Sequence, residues 1–352
     1  MSAPQQRVFA AISGGVDSST AAALLLAQGY PCQAIFMITN DNARHAQADA
    51  QAIADKLGIK LHVLDLRSRF EELLLDYFCS EYKIGRTPNP CVLCNRHIKF
   101  GTLWDFARAN GATFLATGHY ARIIGQENNV GLYESAEVSK DQSYALAQID
   151  KNVLGHVIFP LGDYSKSLTR RTARQMHLGT EDKEESQEIC FIPDNDYVRF
   201  LEQRCPEIVR RGDIVDSSGK VLGKHNGVHR FTIGQRRGLR VAMGKPYYVC
   251  RIDAKTNTVV LGPKQEVMHR RLLAGGANWL IDDPPFSFQA KVKIRYNDLG
   301  SPAVVTRKES CVLVEFDEPK LAITPGQLAV FYIRQDAGWQ LAGSAWIDEP
   351  LG

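Results

Sequence analysis

The stretch "AAISGGVDSSTAAALLL", residues 10–26, joins an apolar segment to a helical one through a short loop that contains two glycines. Residues 8–12 are apolar and partly β-branched, and residues 19–28 are rich in Ala and Leu and are followed by Gly29, so the pattern predicts strand, tight loop and helix. Glycines let backbone N–H groups point into such a loop, and a helix presents its positive dipole end there. The stretch therefore predicts an anion site, above all one for phosphate.

The loop matches neither of the two most familiar phosphate-binding patterns. The Walker pattern ends in Lys followed by Ser or Thr, and no Lys occurs between residues 1 and 55; the dinucleotide pattern G-x-G-x-x-G is absent too. An ordinary βα turn is one interpretation of a Ser/Gly loop. The other rests on S-G-G-x-D-S at residues 13–18, which resembles the loop of the ATP pyrophosphatases, enzymes that split ATP between its α and β phosphates and adenylate a substrate oxygen.

Length and composition limit the class of protein. A chain of 352 residues predicts two or three domains, and an apolar content of 44% is typical of globular proteins. No apolar run approaches the ~20 residues that cross a bilayer, and the first residues show no signal peptide. We therefore expect a cytoplasmic protein without a membrane partner. A monomer is our expectation for its oligomeric state, which these patterns do not determine. Its eight cysteines then favour reduced, catalytic or metal-bound thiols over a disulfide framework.

Charge gives weaker guidance, since the formal net charge is only +3. Basic residues gather in "KSLTRRTAR" (166–174), "RRGD" (210–213), "GQRRGLR" (234–240) and "HRR" (269–271). If these segments share one face they can neutralise nucleic-acid phosphates; the alternative is a solvated surface.

The pattern of apolar residues changes twice along the chain. Up to about residue 120, short strands alternate with helical stripes, as a parallel sheet requires, and a helical stretch follows with a polar segment, 180–188, that predicts a mobile loop ending at an apolar anchor. Short strands and turns then begin, and from about residue 270 the strands have the spacing of a small barrel. We predict an α/β catalytic domain over 1–206, a small β domain over 207–269 and a C-terminal β-barrel over 270–352.

A second informative stretch is "GRTPNPCVLCNRHIKF", residues 85–100. Its prolines stiffen a loop that leads into Cys91-x-x-Cys94, and Asn95 is a candidate N-cap for a helix from Arg96. Cys94 at a helix start is predicted to have a lowered thiol pKa and to be nucleophilic. The alternative is a zinc site, but the chain has no second C-x-x-C.

Several motifs together resemble the bacterial tRNA-specific 2-thiouridylase family, in that family's order and across nearly the whole chain. They are "SGGVDSS", "FM" at 36 and 37, "GRTPNPCVLCN", "IKF", "ATGHYAR", "KDQSY", "ICFI", "TIGQRRGL", "VKIRY" and "TPGQ". The resemblance implies a parallel-sheet ATP pyrophosphatase domain, a small β domain and a C-terminal β-barrel. It also implies ATP-dependent 2-thiolation of uridine 34 of tRNA, with Cys94 as nucleophile and Cys190 as the persulfide carrier.

The same resemblance assigns the remaining site residues. The ATP site it implies consists of Ala11, Ile12, Ser13, Gly14, Gly15, Val16, Asp17, Ser18, Met37 and Gly118. The target-base pocket consists of Asn89, Pro90 and Cys91, and the tRNA contacts are His119, Lys140, Asp141, Gln142, Arg295, Tyr296 and Gln327.

The implied chemistry has two stages. ATP adenylates the C2 oxygen of uridine, with Mg²⁺ bridging the phosphates and Asp17 assisting, and a sulfur-donor protein then supplies sulfur through Cys190. The base must leave the stack of the anticodon arm to reach the site.

Two departures from the family pattern bear on this reading. The residues after "FM" read "ITNDNARHAQ" where the family often has a Lys-Asn-Trp run, and Cys91 stands where some members carry Asp. With Cys94 and Cys190, Cys91 offers three thiolates for a 4Fe-4S cluster, an alternative to the persulfide. Two other functions remain open on sequence alone: an ammonia-using ATP pyrophosphatase that amidates its substrate, and a non-enzymatic tRNA-binding sulfur-relay protein.

Overall fold

The apolar segments at the start of the chain form a five-stranded parallel sheet, as predicted. The computed structural model describes residues 6–126, 129–183, 189–239, 241 and 244–352. The strand order is β3-β2-β1-β4-β7. The strands are β1 Val8–Ala11, β2 Cys32–Ile38, β3 Leu61–Asp65, β4 Phe114–Ala116 and β7 Val157–Ile158. Because β1 lies between β2 and β4, the chain changes direction across the sheet there, and the loops that follow β1 and β4 meet at its carboxyl edge.

Helices cover this sheet and bury the stripes that the sequence predicts. Helix α1 spans Val16–Ala27 and α2 spans Arg44–Leu57. Further helices run over 67–83, over 90–109, over Lys166–Gln175 and over Tyr197–Arg204. Ala50, Ile53 and Ala54 of α2 are buried.

The middle of the chain forms a four-stranded sheet in the order β10-β11-β8-β9. Its strands are β8 Gly212–Asp216, β9 Val221–His225, β10 Tyr248–Asp253 and β11 Thr258–Gly262. The pairing of β11 with β8 is parallel and the other two pairings are antiparallel.

The last third forms an antiparallel sheet that closes on itself, because β12 pairs with both β15 and β17. Its strands are β12 Met268–Trp279, β13 Ser287–Lys293, β14 Ser301–Arg307, β15 Cys311–Leu321, β16 Leu328–Gln335 and β17 Gly338–Leu351. Alternating residues fill its interior, among them Val292, Val305 and Phe331. The β-barrel predicted at the C-terminus is confirmed; the exact domain limits at 206/207 and 269/270 stay predictions.

A hairpin from the first third of the chain extends the barrel sheet, which the sequence analysis does not predict. Strand β5 (Arg122–Gln126) pairs with β6 (Asn129–Tyr133), and Tyr133 pairs with Gln340 of β17. The catalytic domain and the barrel are therefore joined through a shared sheet.

Buried charges also join these two parts. Lys293 of β13 lies 2.9 Å from Glu134 and 3.0 Å from Asp141, and Lys291 lies 2.7 Å from Glu134. Within the described ranges, none of the helices has both the length and the apolar character needed to cross a lipid bilayer.

Candidate active site

The nucleotide loop predicted from S-G-G-x-D-S lies between β1 and α1. Gly14 has a φ of +79°, and a Cβ there would lie 2.6 Å from the Asp49 Cβ, so this position requires glycine. Gly15 is the N-cap of α1 with a φ of −88° and a ψ of 165°, which any residue can adopt. The first hydrogen bond within α1 runs from Ser19 N to Gly15 O, so the amides of residues 16–18 have no acceptor within the helix. The loop has the free amides and the dipole that an anion site needs.

Two serines hold the loop in shape. Ser13 N donates to Ser18 Oγ at 3.0 Å, and Ser18 Oγ donates to Gly15 O at 3.2 Å. The Ser13 and Ser18 hydroxyl oxygens are 3.1 Å apart. These bonds close the loop on itself before any ligand arrives, which lowers the ordering cost of binding.

Positive charge reaches the loop from residues far away in sequence. Lys166 Nζ lies 2.8 Å from both carboxylate oxygens of Asp17, and Tyr120 donates its hydroxyl to Asp17 at 2.8 Å. Lys183 Nζ donates to Gly14 O at 3.0 Å and pairs with Asp49. The loop lacks the Walker lysine, but two distant lysines supply cations in its place.

The other predicted ATP residues lie around this loop. Gly118 follows β4, and a Cβ there would lie 2.7 Å from the backbone of Asp17 and Ser18, so the two segments touch. Met37 lies near the carboxyl end of β2 and packs against the central core. The structure thus brings the predicted ATP residues together at one edge of the sheet.

Three of the eight cysteines form a second group. Cys91 and Cys94 lie on the helix over 90–109, and Cys190 lies in the segment that precedes the helix Tyr197–Arg204. Phe191 holds that segment, since its ring packs 5.7 Å from Phe70 and 5.5 Å from Phe78. The apolar anchor predicted at the end of the polar segment is confirmed. Residues 184–188 of that segment lie outside the described residues, while Lys183 is held against the nucleotide loop.

The prediction of a low thiol pKa for Cys94 is wrong, because the helix begins earlier than expected. Its N-cap is Asn89 and its first residue is Pro90, so Cys94 lies one turn inside and is 7% exposed. Burial raises the pKa of Cys94 to about 12, although Lys99 opposes the shift. Asn95 is not an N-cap; it is buried and donates its amide to Ala145 O at 2.9 Å.

Cys91 and Cys190 are exposed at the surface. Loss of hydration raises the pKa of both thiols, while the positive charge of Lys99 lowers it. The charges of Cys91 and Cys190 also interact with each other and with Cys94. The three thiols therefore share one electrostatic environment that contains one cation.

A short chain of contacts connects Lys99, whose charge acts on the thiols, to the nucleotide loop. Lys99 Nζ lies 3.3 Å from His119 Nε2, and His119 Nδ1 lies 2.6 Å from Thr117 Oγ1. Gly118, between those last two residues, touches the backbone of the loop at Asp17. The turn 117–119 thus contacts the nucleotide loop on one side and Lys99 on the other.

The barrel contacts the segment that carries the predicted base pocket. Gln327 Nε2 donates to Thr87 O at 2.9 Å and approaches Pro88 O at 3.3 Å, directly before Asn89 and Pro90. This side chain therefore fixes the position of the segment.

The other predicted tRNA contacts lie at the border between the catalytic domain and the barrel. Gln142 accepts from Tyr120 N at 2.9 Å, and Tyr296, which is 43% exposed, packs its ring 6.3 Å from Tyr144. Arg295 is exposed. Asp141 is buried and accepts from Ser135 N, Ser143 and Lys293. Its carboxylate is engaged inside the protein, whereas the side chains of Arg295 and Tyr296 are available to a ligand.

The sequence implies a site for a 4Fe-4S cluster and a site for Mg²⁺, and the residues present fit the two sites to different degrees. Over 6–126, 129–183, 189–239, 241 and 244–352, no group of three or more His, Cys, Asp or Glu side chains is arranged to hold a metal ion. Cys91, Cys94 and Cys190 as placed do not form a ligand set for a 4Fe-4S cluster. Mg²⁺ needs only one or two carboxylates when phosphates supply the other ligands, and Asp17 fits that need.

The lysines of the site are not predicted by the sequence patterns. Lys99 lies in the motif "IKF", which assigns it no role, and Lys166 lies in the basic segment 166–174, which predicts a surface position. Lys183 lies in a polar stretch. Its partners, the Gly14 carbonyl and Asp49, are distant in sequence, so no local sequence pattern indicates these contacts.

The fold and the site together define a class: an ATP pyrophosphatase-type nucleotide-binding domain with a thiol group beside its loop, followed by two β domains. Family models match the chain in the same order. Residues 6–194 match the tRNA methyl transferase HUP domain, 198–263 the tRNA methyl transferase PRC-barrel domain and 269–347 the aminomethyltransferase beta-barrel domain.

Curated relatives match over the full length. The tRNA-specific 2-thiouridylase MnmA of Carboxydothermus hydrogenoformans is 44% identical over 99% of both chains. That of Syntrophotalea carbinolica is 43% identical over 99% of this chain and 100% of its own. Among solved structures, the U34-tRNA thiolase NcsA from Methanococcus maripaludis with its 4Fe-4S cluster is 18% identical, with a TM-score of 0.37 over 58% of this chain and 69% of that one. The chain belongs to the tRNA-specific 2-thiouridylase family.

Proposed function

We propose that this protein uses ATP to replace the C2 oxygen of uridine 34 in tRNA with sulfur. The observation that carries the proposal is the contact chain from the nucleotide loop through Gly118 and His119 to Lys99, whose charge acts on the three thiols. A site that activates an oxygen with ATP and then delivers sulfur needs both groups within reach of one base. An amidating enzyme has no use for three thiols in that place.

The first stage is adenylation. The C2 oxygen attacks the α-phosphate of ATP, the bond to the β-phosphate breaks, and pyrophosphate leaves. Residues 11–18, Met37 and Gly118 bind the nucleotide, and Lys166 and Lys183 offset its negative charge. Asp17 would hold Mg²⁺ together with the phosphates, and the ion would supply further charge neutralisation.

The second stage is sulfur transfer. A donor protein loads Cys190 as a persulfide, whose terminal sulfur attacks C2 while the C2–O bond breaks and AMP leaves. The Cys94 thiolate then attacks the inner sulfur, which breaks the sulfur–sulfur bond, releases thiouridine and leaves a Cys94–Cys190 disulfide. A dithiol reductant restores the two thiols. In the alternative order, Cys94 frees sulfide first and sulfide attacks C2.

The substrate is proposed to bind across the border between the catalytic domain and the barrel. Asn89, Pro90 and Cys91 line the base pocket, and the anticodon arm contacts the tRNA-binding residues. These are His119, Lys140, Gln142, Arg295 and Tyr296, and Asp141 and Gln327 hold this surface in place through their bonds inside the protein. We further propose that the catalytic domain spans 1–206, the small β domain 207–269 and the C-terminal β-barrel 270–352.

Label transfer in three cysteine variants tests the sulfur roles. With an oxygen-free preparation and a donor carrying labelled sulfur, Cys190→Ser should accept no label, whereas Cys94→Ser should accept it and yield no thiouridine. Both should still release pyrophosphate with tRNA. Cys91→Ser should retain measurable thiolation, and Cys311→Ser is the matched control outside the site.

Two outcomes would contradict this scheme. Full loading of Cys190→Ser would refute the persulfide assignment. Loss of iron, acid-labile sulfide and activity together in all three site variants would establish the cluster instead.

A further inference from the structure

Lys99 lies in a position that is costly for a cation. Its side chain is half-buried, and among the described residues no carboxylate lies within ion-pair distance of its ammonium group. Its hydrogen-bond partner is a neutral ring nitrogen, Nε2 of His119. Removing an ammonium group from water without an anionic partner is unfavourable, so this arrangement calls for an anion that binds or forms nearby.

The state of His119 follows from its surroundings. The ring lies 6.1 Å from Phe100 and 5.9 Å from Phe159, and burial, together with the charge of Lys99, holds the pKa of His119 well below its usual range. An ammonium group has only hydrogens to offer, so Nε2 accepts from Lys99 with its lone pair. The proton of the neutral ring is then on Nδ1, which donates to Thr117 Oγ1. His119 thus holds Lys99 in one direction.

The helix brings the same ammonium group to the sulfurs. The segment Cys94–Leu103 is π-helical, and its i→i+5 bonding brings Lys99 one turn below Cys94. Cys91 precedes Cys94 by about one α-helical turn, and the charge of Cys190 interacts with both of these thiols. Lys99 is the cation whose charge acts on all three thiols.

We propose that Lys99 stabilises the anionic sulfur of this site, first the persulfide on Cys190 and then the thiolate of Cys94, and that His119 positions it. This rests on the proposed function for the order of events, but not for the ionisation itself. In each step an S–H bond breaks, the proton passes to solvent, and the sulfur keeps the electron pair beside the ammonium group. Lys99 exchanges no proton or electron with the sulfur in these steps, so no further reactant is needed.

Alkylation of the free enzyme tests the ionisation without ATP, tRNA or donor. Iodoacetamide reacts with thiolates, so its rate at Cys94 and Cys190, followed peptide by peptide between pH 6 and 10, reports each thiolate fraction. Lys99→Met keeps the aliphatic stem and removes the charge; we expect both rates at pH 8 to fall by about tenfold or more, since one pKa unit is tenfold in thiolate. Lys99→Arg should stay within about threefold. Lys308→Met, at an exposed turn, is the control, with Cys311 as the internal reference thiol.

The role of His119 is tested in the same assay with a double variant. His119→Gln should lower the rates in the wild-type background and change nothing further when Lys99 is already Met, because it acts through Lys99. Unchanged rates in Lys99→Met, with the fold verified by its Tm, would overturn the proposal. Equal effects of His119→Gln in both backgrounds would overturn the positioning role. Failure of Cys190 to load sulfur would instead contradict the proposed function and leave this result intact.

Discussion

Replacing each glycine of the nucleotide loop by alanine should separate stability from ATP binding. At Gly15 the backbone angles suit any residue, and the nearest atom to an added Cβ is Ser13 Oγ at 3.6 Å, an ordinary contact. Restricting the unfolded chain gains about 0.4–1 kcal/mol, and a poorer N-cap costs about 0.5–1 kcal/mol. The Tm of Gly15→Ala should therefore stay within about 3 °C of wild type.

The added methyl group of Gly15→Ala should hinder the ligand, because Gly15 lies in the loop where the phosphates are proposed to bind and an added Cβ meets no protein atom closer than 3.6 Å. Overpacking of this kind costs about 1–3 kcal/mol, which corresponds to about 5–150-fold in the Kd for ATP. Titration calorimetry with ATP measures that change. If the folded variant binds ATP as tightly as the wild type, the loop does not hold the phosphates.

Gly14→Ala is the matched comparison and should behave in the opposite way with respect to stability. Its φ of +79° strains an alanine, and the added Cβ would lie 2.6 Å from the Asp49 Cβ. The two effects together should cost about 2–5 kcal/mol, lowering the Tm by about 5–15 °C. A Tm equal to that of Gly15→Ala would contradict the loop conformation.

Two further changes test the contacts between the catalytic domain and the barrel. Lys293→Met leaves the buried Asp141 carboxylate without its cation and should lower the free energy of unfolding by about 3 kcal/mol. Adding Asp141→Asn to that variant should restore part of the loss. Equal denaturation midpoints for the wild type, the single variant and the double variant would contradict a buried pair. Gln327→Ala removes the hydrogen bonds to Thr87 and Pro88 and should raise the KM for tRNA about tenfold with little change in kcat, and a KM that stays at the wild-type value would contradict a positioning role for Gln327.

Local sequence patterns predict most of the fold. The strand, loop and helix of residues 8–27 and the stripe of α2 depend on neighbours in sequence, and the structure has them as predicted. The hairpin β5–β6 was missed because its role depends on pairing with β17, two hundred residues away, which no local signal encodes.

The error at Cys94 has the same origin. Asn95 followed by a polar run is typical of a helix start, yet Pro90 suits a first helical position equally well, and Asn89 precedes it. Tertiary contacts decided between them, because Asn95 finds a buried partner in Ala145 O. Because the helix begins at Pro90 and not at Arg96, the thiol lies in the helix interior, which disfavours a thiolate, and not at the end that stabilises one.

That shift changes what activates the sulfur. A helix end offers a fixed partial charge, which falls off within the first turn, so it cannot serve both Cys94 and Cys190. The ammonium group of Lys99 carries a full charge on a flexible side chain, so it can serve both thiols, and the neutral ring of His119 holds it. The turn 117–119 that carries His119 also touches the loop at Asp17 through Gly118. When a bound nucleotide shifts the loop, the turn 117–119 therefore has to shift with it or oppose the movement. This turn carries His119, which holds Lys99. Alkylation of Cys94 should accordingly respond to saturating ATP in the wild type, whereas in Lys99→Met the rate should be the same with and without ATP.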